Sequence, residues 1–343
     1  MTAGTPEPGT PEPEAGPRDR RVVGPEARDR RLVGPEARAE ATYLIYRGLG
    51  EAIQRVPAPV VDAVAAVVAE VMSRRGSASL AMKARHLQRV LGSTSPVVEP
   101  DPEVVRRWTR RSFRWYARYW MEGARLPGIP TAEVTRRMVV ERGYEHLQEA
   151  MAAGRGVVMV LPHVGSWEWG GMFLAAEGYP MTSVAERVEP PALYDWFVSQ
   201  REGMGLTIVP LGQDSGGMVL KTLRDGGLVG LLCDRDIVGN GVEVTFFGET
   251  TTFPAGPATL ALRTGAALVA AAVYSGPGRL HTGVISPPFD TSRSGGLRKD
   301  VARITQDIAR EFERLIRRSP EQWHVYQPNW PSDRAPGDVA AGQ

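Results

Sequence analysis

The sequence predicts an α/β fold in which a central, mostly parallel β-sheet is flanked by helices. Beyond Gly154, seven short apolar runs alternate with segments of helical periodicity, as is typical of a parallel sheet covered on both faces. The 343 residues are enough for one large domain, and a composition of 42% hydrophobic and 23% charged residues is ordinary for a globular protein. Before Gly154 the pattern is helical, and we expect these N-terminal helices to form a membrane-facing side.

The two ends of the chain differ in composition from the part between them. GTPEP occurs twice near the start, and RDRRVVGPEA is followed at once by RDRRLVGPEA. Stretches of proline, glycine and mixed charge bury little surface. We therefore expect a disordered tail at 1–40, the folded domain at 41–332 and a flexible end at 333–343. We expect neither a signal peptide nor a membrane-spanning helix, because no apolar segment suits either.

Charge and cysteine content exclude only a few classes of function. The formal net charge of +2 does not indicate a nucleic-acid partner. The single cysteine, Cys233, excludes an intramolecular disulfide. A lone thiol inside an apolar run fits a reducing cytoplasm.

Residues 42–151 have a helical pattern that includes an apolar segment at 59–72. Asp101 stands where it can cap the long helix that follows. Four arginines of that helix share one stripe beside Trp and Tyr side chains: Arg107, Arg111, Arg114 and Arg118. Such a stripe suits the interface of an anionic bilayer. The alternative is that the aromatic residues belong to the core and the arginines are solvated.

The alternating segments after Gly154 give the order of the sheet elements. Predicted strands lie at 156–161, 181–185, 206–210, 228–233, 242–247, 267–274 and 281–285. Predicted helices lie at 167–177, 191–204, 216–225, 256–264 and 297–318. In parallel sheets, functional groups gather outside the carboxyl ends of the strands. His163 follows the first predicted strand by two residues, and Asp234 directly follows the fourth.

The stretch LPHVGSWE places a histidine and a glutamate on either side of a Gly-Ser-Trp turn. A metal site is one interpretation, but the spacing of His163 and Glu168 differs from the i, i+4 pairs of zinc-binding helices. A structural histidine held by backbone groups is the second. In the third, His163 is a general base whose tautomer a carboxylate fixes, and Glu168 lies across the turn from it. The spacing alone leaves all three open.

Two alternatives from other functional classes also have support in the sequence. Asp234 and Asp236 form a DRD sequence after an apolar strand, the pattern in which two carboxylates hold the metal of a nucleotide-sugar diphosphate. This pattern favours a membrane-associated glycosyltransferase, although three residues often match by chance. The other alternative is a non-catalytic protein that binds membranes through its arginine-rich helix.

Four sequence blocks resemble, in order, those of the lipid A biosynthesis acyltransferase family, which shares the HX4(D/E) motif of glycerolipid and lysophospholipid acyltransferases. The blocks are LPHVGSWEWGG, TSVAERVEPPALYDWFVSQREGMGLTIVPL, LCDRDIVGNGVEVTFFGETTTFPAGPATLALRTGAAL and EQWHVYQPNW. The resemblance runs from about Thr42 to Trp330. Among the branches of the family, the chain is most similar to the actinobacterial phosphatidylinositol mannoside acyltransferases.

The resemblance implies an acyl-CoA-dependent O-acyltransferase, peripheral to an anionic membrane surface at the cytoplasmic face of the plasma membrane. Members of this branch transfer a long acyl group, typically palmitoyl, to the 6-hydroxyl of a mannose on phosphatidylinositol. The implied partners are acyl-CoA, as co-substrate, and a mannosylated phosphatidylinositol acceptor. No cofactor or metal is expected, because a thioester already carries a good leaving group. Another glycolipid acceptor is the remaining alternative within this class.

The resemblance also implies roles for individual residues. His163 is implied as the base that deprotonates the mannose hydroxyl, Glu168 as the motif acid and Asp234 as an acidic partner of the histidine. Glu186 and Arg201, in the AER and QRE segments, are implied to bind the acceptor or its phosphate. The branch often has glutamate where this chain has Asp234, and aspartate reaches one methylene less far toward His163. Backbone N–H groups at the loop-to-helix junction are candidates for stabilising the oxyanion.

Overall fold

The computed structural model describes residues 35–74, 77–92, 100–212 and 214–334. The strands in this part of the chain are β1 (Met138–Arg142), β2 (Val157–Leu161), β3 (Met181–Ala185), β4 (Thr207–Pro210), β5 (Leu228–Leu232), β6 (Val242–Phe246), β7 (Glu249–Phe253), β8 (Ala267–Ser275) and β9 (His281–Ile285). The α-helices are α1 (Pro35–Arg55), α2 (Ala58–Arg74), α3 (Ala78–Gly92), α4 (Pro102–Arg125), α5 (Thr131–Arg137), α6 (Tyr144–Ala152), α7 (Trp167–Ala176), α8 (Pro191–Glu202), α9 (Ser215–Arg224), α10 (Gly256–Thr264) and α11 (Leu297–Arg318).

The central sheet has the strand order β1-β9-β8-β2-β5-β3-β4. The strands from β8 to β4 are parallel to one another, β9 is antiparallel to β8, and β1 is parallel to β9. β6 and β7 form a separate antiparallel hairpin. The predicted α/β class with a mostly parallel central sheet is confirmed.

Strand β2 shows why helices cover both faces of this sheet. Its five residues are all buried, and successive side chains along a strand point to opposite faces. Val158 and Val160 pack in one core with residues of α10 and α11. Val157, Met159 and Leu161 pack in the other with residues of α7. An uninterrupted apolar strand is therefore sandwiched between two helical layers.

Two strands were not predicted from the sequence. The segment 138–142 was expected to be helical, but it forms β1, whose Met138 is paired with His281 of β9. Glu249–Phe253 forms β7, which pairs with β6 across a two-residue turn. The partner of β1 lies more than 100 residues further along the chain, and β7 carries three threonines in a row in place of an apolar run.

The cap of the long helix α4 was predicted correctly. The side chain of Asp101 accepts a hydrogen bond from the backbone N–H of Glu103 at 2.8 Å. The arginine stripe combines ion pairs with exposure, because the side chains of Arg111 and Arg114 remain more than half exposed. Three of its members form ion pairs with Glu321, Glu70 and Glu122: Arg111, Arg114 and Arg118 respectively.

The exposed apolar side chains of the N-terminal helices lie mainly on α1 and α2. On α2, one exposed face consists of valines at helical spacing: Val60, Val64, Val67, Val68 and Val71. On α1, Leu44, Ile45 and Leu49 are exposed. Within the described residues, no helix is both long enough and apolar enough to cross a membrane.

The boundaries of the two predicted tails fall partly inside the described chain. Helix α1 begins at Pro35, within the expected tail at 1–40, and residues 1–34 lie outside the described residues. At the other end, Asp333 is buried and accepts a hydrogen bond from His86 at 3.1 Å. Residues 335–343 of the expected flexible end lie outside the described residues.

Candidate active site

The parallel pairing of β2 with β5 brings His163 and Asp234 together. Leu161 is paired with Leu232 at the carboxyl ends of the two strands, and each of the two polar residues lies two positions further along its chain. The backbone N–H of His163 donates to Oδ2 of Asp234 at 2.9 Å. Nδ1 of the His163 ring is bonded to Oδ1 of the same carboxylate. The shorter aspartate therefore reaches the histidine.

Asp234 is completely buried and satisfied by several donors. Besides His163, the indole N–H of Trp323 donates to Oδ2 at 2.8 Å. Burial alone would raise the pKa of Asp234, but the charge of His163 and the hydrogen bonds from His163 and Trp323 lower it below its ordinary value. The group is thus a carboxylate that accepts a hydrogen bond from the Nδ1–H group, which leaves Nε2 of His163 as the ring nitrogen with the free lone pair. The His163 side chain is 28% exposed, so this ring is not sealed in the core.

A glycine makes the turn after His163 possible. Gly165 has φ +62°, and a Cβ at this position would overlap the carbonyl oxygen of Val273. The N–H of Gly165 donates to the carbonyl of Gln322, and the N–H of Ser166 donates to that of Val273, both at 2.9 Å. These bonds fix the loop between β2 and α7.

The C-terminal segment lies antiparallel along this loop. Val164 forms a β-bridge with Trp323, and the N–H of His324 donates to the carbonyl of His163 at 2.7 Å. This pairing carries the Trp323 indole to Asp234. Trp323 had no role predicted from the sequence, although the EQWHVYQPNW block that contains it carries part of the family resemblance.

Glu168 bonds to other residues than His163, contrary to the expectation that the turn brings the two side chains together. Its buried Oε1 accepts hydrogen bonds from the hydroxyl of Tyr119 at 3.0 Å and from Nη2 of Arg201 at 3.1 Å. Glu168 lies in the first turn of α7, and its two partners come from α4 and α8. Burial, and then the negative charge of Glu168, raise the pKa of Tyr119 well above its usual value, so this hydroxyl remains a donor.

The Glu168–Arg201 pair lines a cavity of about 390 Å³ between α1, α4 and α8. The other lining residues are mainly apolar or aromatic, and they include Leu49, Ile53, Met121 and Phe197. Within the part of the chain that the structure describes, Oε2 of Glu168 and Nε of Arg201 are buried without a hydrogen-bond partner. The cavity therefore combines an apolar wall with an ion pair that has unused polar atoms.

His324 connects the cavity wall to His163. Its ring stacks on Tyr119 with centroids 4.8 Å apart, and its backbone is bonded to that of His163. Burial, followed by the positive charges of Lys83 and His163, lowers the pKa of His324 well below its usual value. His324 is thus a neutral imidazole next to the candidate base.

The remaining two predicted polar positions lie apart from these groups. Both carboxylate oxygens of Asp236 close the following loop by accepting from the N–H groups of Gly239 at 2.9 Å and Gly241 at 2.8 Å. Because both oxygens of Asp234 are also occupied by protein donors, the contacts do not favour a DxD site. Glu186 is exposed directly after β3, and neither Glu168 nor Arg201 is hydrogen-bonded to it among the described residues.

Comparison with known proteins identifies the family. A family model described as bacterial lipid A biosynthesis acyltransferase matches residues 35–332. The chain belongs to this family. The phosphatidylinositol mannoside acyltransferase of Mycobacterium tuberculosis is 40% identical over 256 residues, which cover 73% of this chain and 76% of the relative. The protein of the same name from Mycolicibacterium smegmatis is 39% identical over 257 residues, with coverages of 73% and 79%. The resemblance expected from the sequence blocks is confirmed, and the protein is an acyltransferase.

Negative charge that develops on a carbonyl oxygen during acyl transfer needs hydrogen-bond donors. The structure shows which backbone N–H groups at the loop-to-helix junction are already bonded within the protein. The N–H groups of Val164, Gly165 and Ser166 all donate to carbonyl groups of the protein. The first N–H groups of an α-helix have no acceptor within the helix. The candidates at the junction are therefore the N–H groups of Trp167 and Glu168, at the start of α7.

Proposed function

We propose that the protein transfers a long fatty acyl group, of the palmitoyl type, from acyl-CoA to the 6-hydroxyl of a mannose on a phosphatidylinositol mannoside. The observation that carries the proposal is the buried carboxylate of Asp234 bonded to Nδ1 of His163. It leaves Nε2 of a partly exposed imidazole to act as a general base. The names of the two mycobacterial relatives support the acceptor class.

In this proposal His163 moves the proton in both directions. An alcohol is a weak nucleophile at neutral pH and needs a positioned base. Nε2 of His163 takes the proton of the mannose hydroxyl as its oxygen attacks the thioester carbonyl. Asp234 stabilises the imidazolium that forms, as the buried aspartate of a Ser-His-Asp triad does. When the tetrahedral intermediate collapses, the imidazolium gives the proton to the departing CoA thiolate, so the proton balance closes without a metal ion or an enzyme nucleophile.

The cavity beside the site has the chemistry of a lipid-binding pocket. Its apolar wall suits an acyl chain, and Arg201 at its margin suits a phosphate or a sugar hydroxyl. Glu168 holds Arg201 in place through the 3.1 Å ion pair. We therefore place Glu168 and Arg201 among the substrate-binding groups, with Glu186 nearer the solvent.

The proposed location is the cytoplasmic face of the plasma membrane, with the protein bound peripherally. The exposed valine face of α2 and the exposed apolar residues of α1 support an interfacial orientation. Helix α1 also lines the cavity, through residues that include Leu49 and Ile53. A lipid leaving the bilayer at α1 would therefore be close to the cavity.

The proposal is tested with palmitoyl-CoA and a panel of phosphoinositide mannosides that differ in the number of mannoses. We expect acceptor-dependent release of CoA and a product heavier by one palmitoyl group. An acceptor with a 6-deoxymannose at the modified position should give no product, because the attacking oxygen is missing. CoA release without transfer to any mannoside, or acylation of the 6-deoxy acceptor at the same rate, would contradict the proposal. A requirement for a divalent metal and a nucleotide sugar would favour the glycosyltransferase instead.

A further inference from the structure

Lys83 is a fully buried lysine without a role in the proposed mechanism. It lies in α3, and its side chain has no exposed surface. The chain has three lysines, Lys83, Lys221 and Lys299, among many arginines, and the other two are exposed. A lysine is rarely buried without a partner, so neighbouring groups have to stabilise its positive charge.

The ammonium group of Lys83 is held by the segment that carries Trp323. Nζ donates a hydrogen bond to the carbonyl of Trp323. It also lies 4.9 Å from the centre of the Trp323 ring and 5.4 Å from that of Tyr326, within the range of a cation–π contact. The indole N–H of the same Trp323 donates to Asp234. One residue thus connects the lysine to the partner of His163.

Charged and titratable groups surround Lys83 from several elements. Desolvation lowers the pKa of Lys83 to about 7, while the negative charges of Asp234 and Glu321 act in the opposite direction. Burial lowers the pKa values of His86, on the same helix, and of His324, and the charge of Lys83 adds to both shifts. Glu321 is also ion-paired with Arg111 of α4 at 3.1 Å.

We propose that Lys83 is a positioning residue of the active site, which holds Trp323 against Asp234 and opposes protonation of His163. This inference rests on the proposed function, in which Nε2 of His163 has to be unprotonated. The carboxylate of Asp234 favours the imidazolium form of His163 by charge attraction. Whenever Lys83 is protonated, its charge behind Trp323 offsets part of that attraction.

A lysine with a purely structural role would anchor the C-terminal segment without electrostatic coupling to the site. The two roles differ in how the pKa values respond to each other. If Lys83 and Asp234 are coupled, neutralising Asp234 lowers the pKa of Lys83, and neutralising Lys83 raises the pKa of His163. Both changes should be about 1–1.5 pH units, the scale expected for unit charges about 8–12 Å apart at an effective dielectric constant of about 20.

The first experiment leaves Lys83 unchanged. With 13C-labelled lysine, the three Cε signals are titrated by NMR in the wild type, in Asp234→Asn and in Asp225→Asn. We expect one lysine to titrate near neutrality and to shift downward in Asp234→Asn only. Asp225→Asn is the matched control, because Asp225 is bonded to Lys221 at 2.6 Å and should lower the pKa of that lysine instead. A Lys83 titration that does not respond to Asp234→Asn overturns the inference.

The second experiment changes Lys83 and follows His163. The ring of His163 is titrated by NMR in the wild type, in Lys83→Met and in Lys221→Met, and the pH profile of kcat/KM is recorded beside it. Lys83→Met should raise the pKa of His163 and move the acid limb of the profile upward, while Lys221→Met changes neither. An unshifted His163 in folded Lys83→Met rejects the inference.

The two experiments also separate this inference from the proposed function. If the wild type transfers no acyl group, the proposed function fails, but both NMR titrations still report the coupling. If Lys83→Met does not fold, the response of Lys83 to Asp234→Asn decides the question.

Discussion

Replacing Asp234 by asparagine tests the link between the buried carboxylate and the candidate base. The amide has nearly the same size, but it is neutral and offers one acceptor oxygen in place of two. Three protein donors now compete for that oxygen: the N–H and Nδ1–H of His163 and the indole N–H of Trp323. The imidazole then loses both its fixed tautomer and the charge that stabilises its protonated form.

The magnitude follows from the value of a positioned base. General-base catalysis contributes about 10²–10⁴ in rate, and tenfold in rate corresponds to about 1.4 kcal/mol. We therefore expect kcat of Asp234→Asn to fall by about 10²–10⁴, or about 3–5 kcal/mol of transition-state stabilisation. Because the pKa of Asp234 is lowered in the folded protein, its ionised form also stabilises the fold at pH values above the range in which carboxyl groups titrate. The stability gap between wild type and variant should narrow as the pH falls through that range.

The assay is CoA release at saturating acyl-CoA and acceptor, with thermal unfolding followed in parallel. Asp236→Asn is the matched control, since it makes the same chemical change two residues away, where the carboxylate closes a loop. We expect it to retain most of the activity. Folded Asp234→Asn with more than about a tenth of wild-type kcat would refute the reasoning, as would equal losses in the two variants.

Three further predictions address the groups around the base and the cavity. Trp323→Phe removes a hydrogen bond to a carboxylate, which is worth about 1.5–3 kcal/mol, and should lower kcat about 10–100-fold. Trp330→Phe removes a hydrogen bond to the backbone carbonyl of Phe246 instead and should lower kcat much less, so equal losses would contradict the role of Trp323. Glu168→Gln and Arg201→Gln should each raise KM, and a double-mutant cycle should be strongly non-additive; additive effects would show that the 3.1 Å ion pair does not act as a unit. Gly123 lines the cavity at a position where an added Cβ meets nothing within 4 Å. Gly123→Leu should therefore shift the preference toward acyl-CoA with shorter chains. An unchanged dependence of the rate on chain length would place the acyl chain elsewhere.

The pairing of His163 with Asp234 could be anticipated because it depends on strand order and local sequence. Both residues follow apolar strands, and groups at the carboxyl ends of neighbouring parallel strands lie at one edge of the sheet. The sequence did not show whether Glu168 or Asp234 is bonded to the ring of His163. A spacing of five residues across a turn does not fix the direction in which the first helical side chain points, and in the structure Glu168 points to α4 and α8.

Trp323 and Lys83 could not be predicted from their own neighbourhoods. Trp323 reaches Asp234 because the C-terminal segment pairs with the loop after β2, more than 150 residues earlier in the chain. Lys83 lies on a helix that contains both polar and apolar residues, so its sequence does not mark it as buried. The tertiary packing buries its ammonium group. Part of the arginine stripe of α4 shows the same dependence, because Arg111 and Arg114 form ion pairs with residues of other elements.

The central claim is tested most directly by transfer of palmitoyl from palmitoyl-CoA to a phosphatidylinositol mannoside by His163→Ala. His146→Ala is the control, since His146 lies on α6, which precedes β2 rather than following it. We predict that His163→Ala folds, with an unfolding temperature lowered by the loss of the ring's bond to the buried Asp234, and that its rate of acyl transfer falls by about 10²–10⁴ or more. Undiminished product formation by this variant would contradict the assignment of the catalytic base.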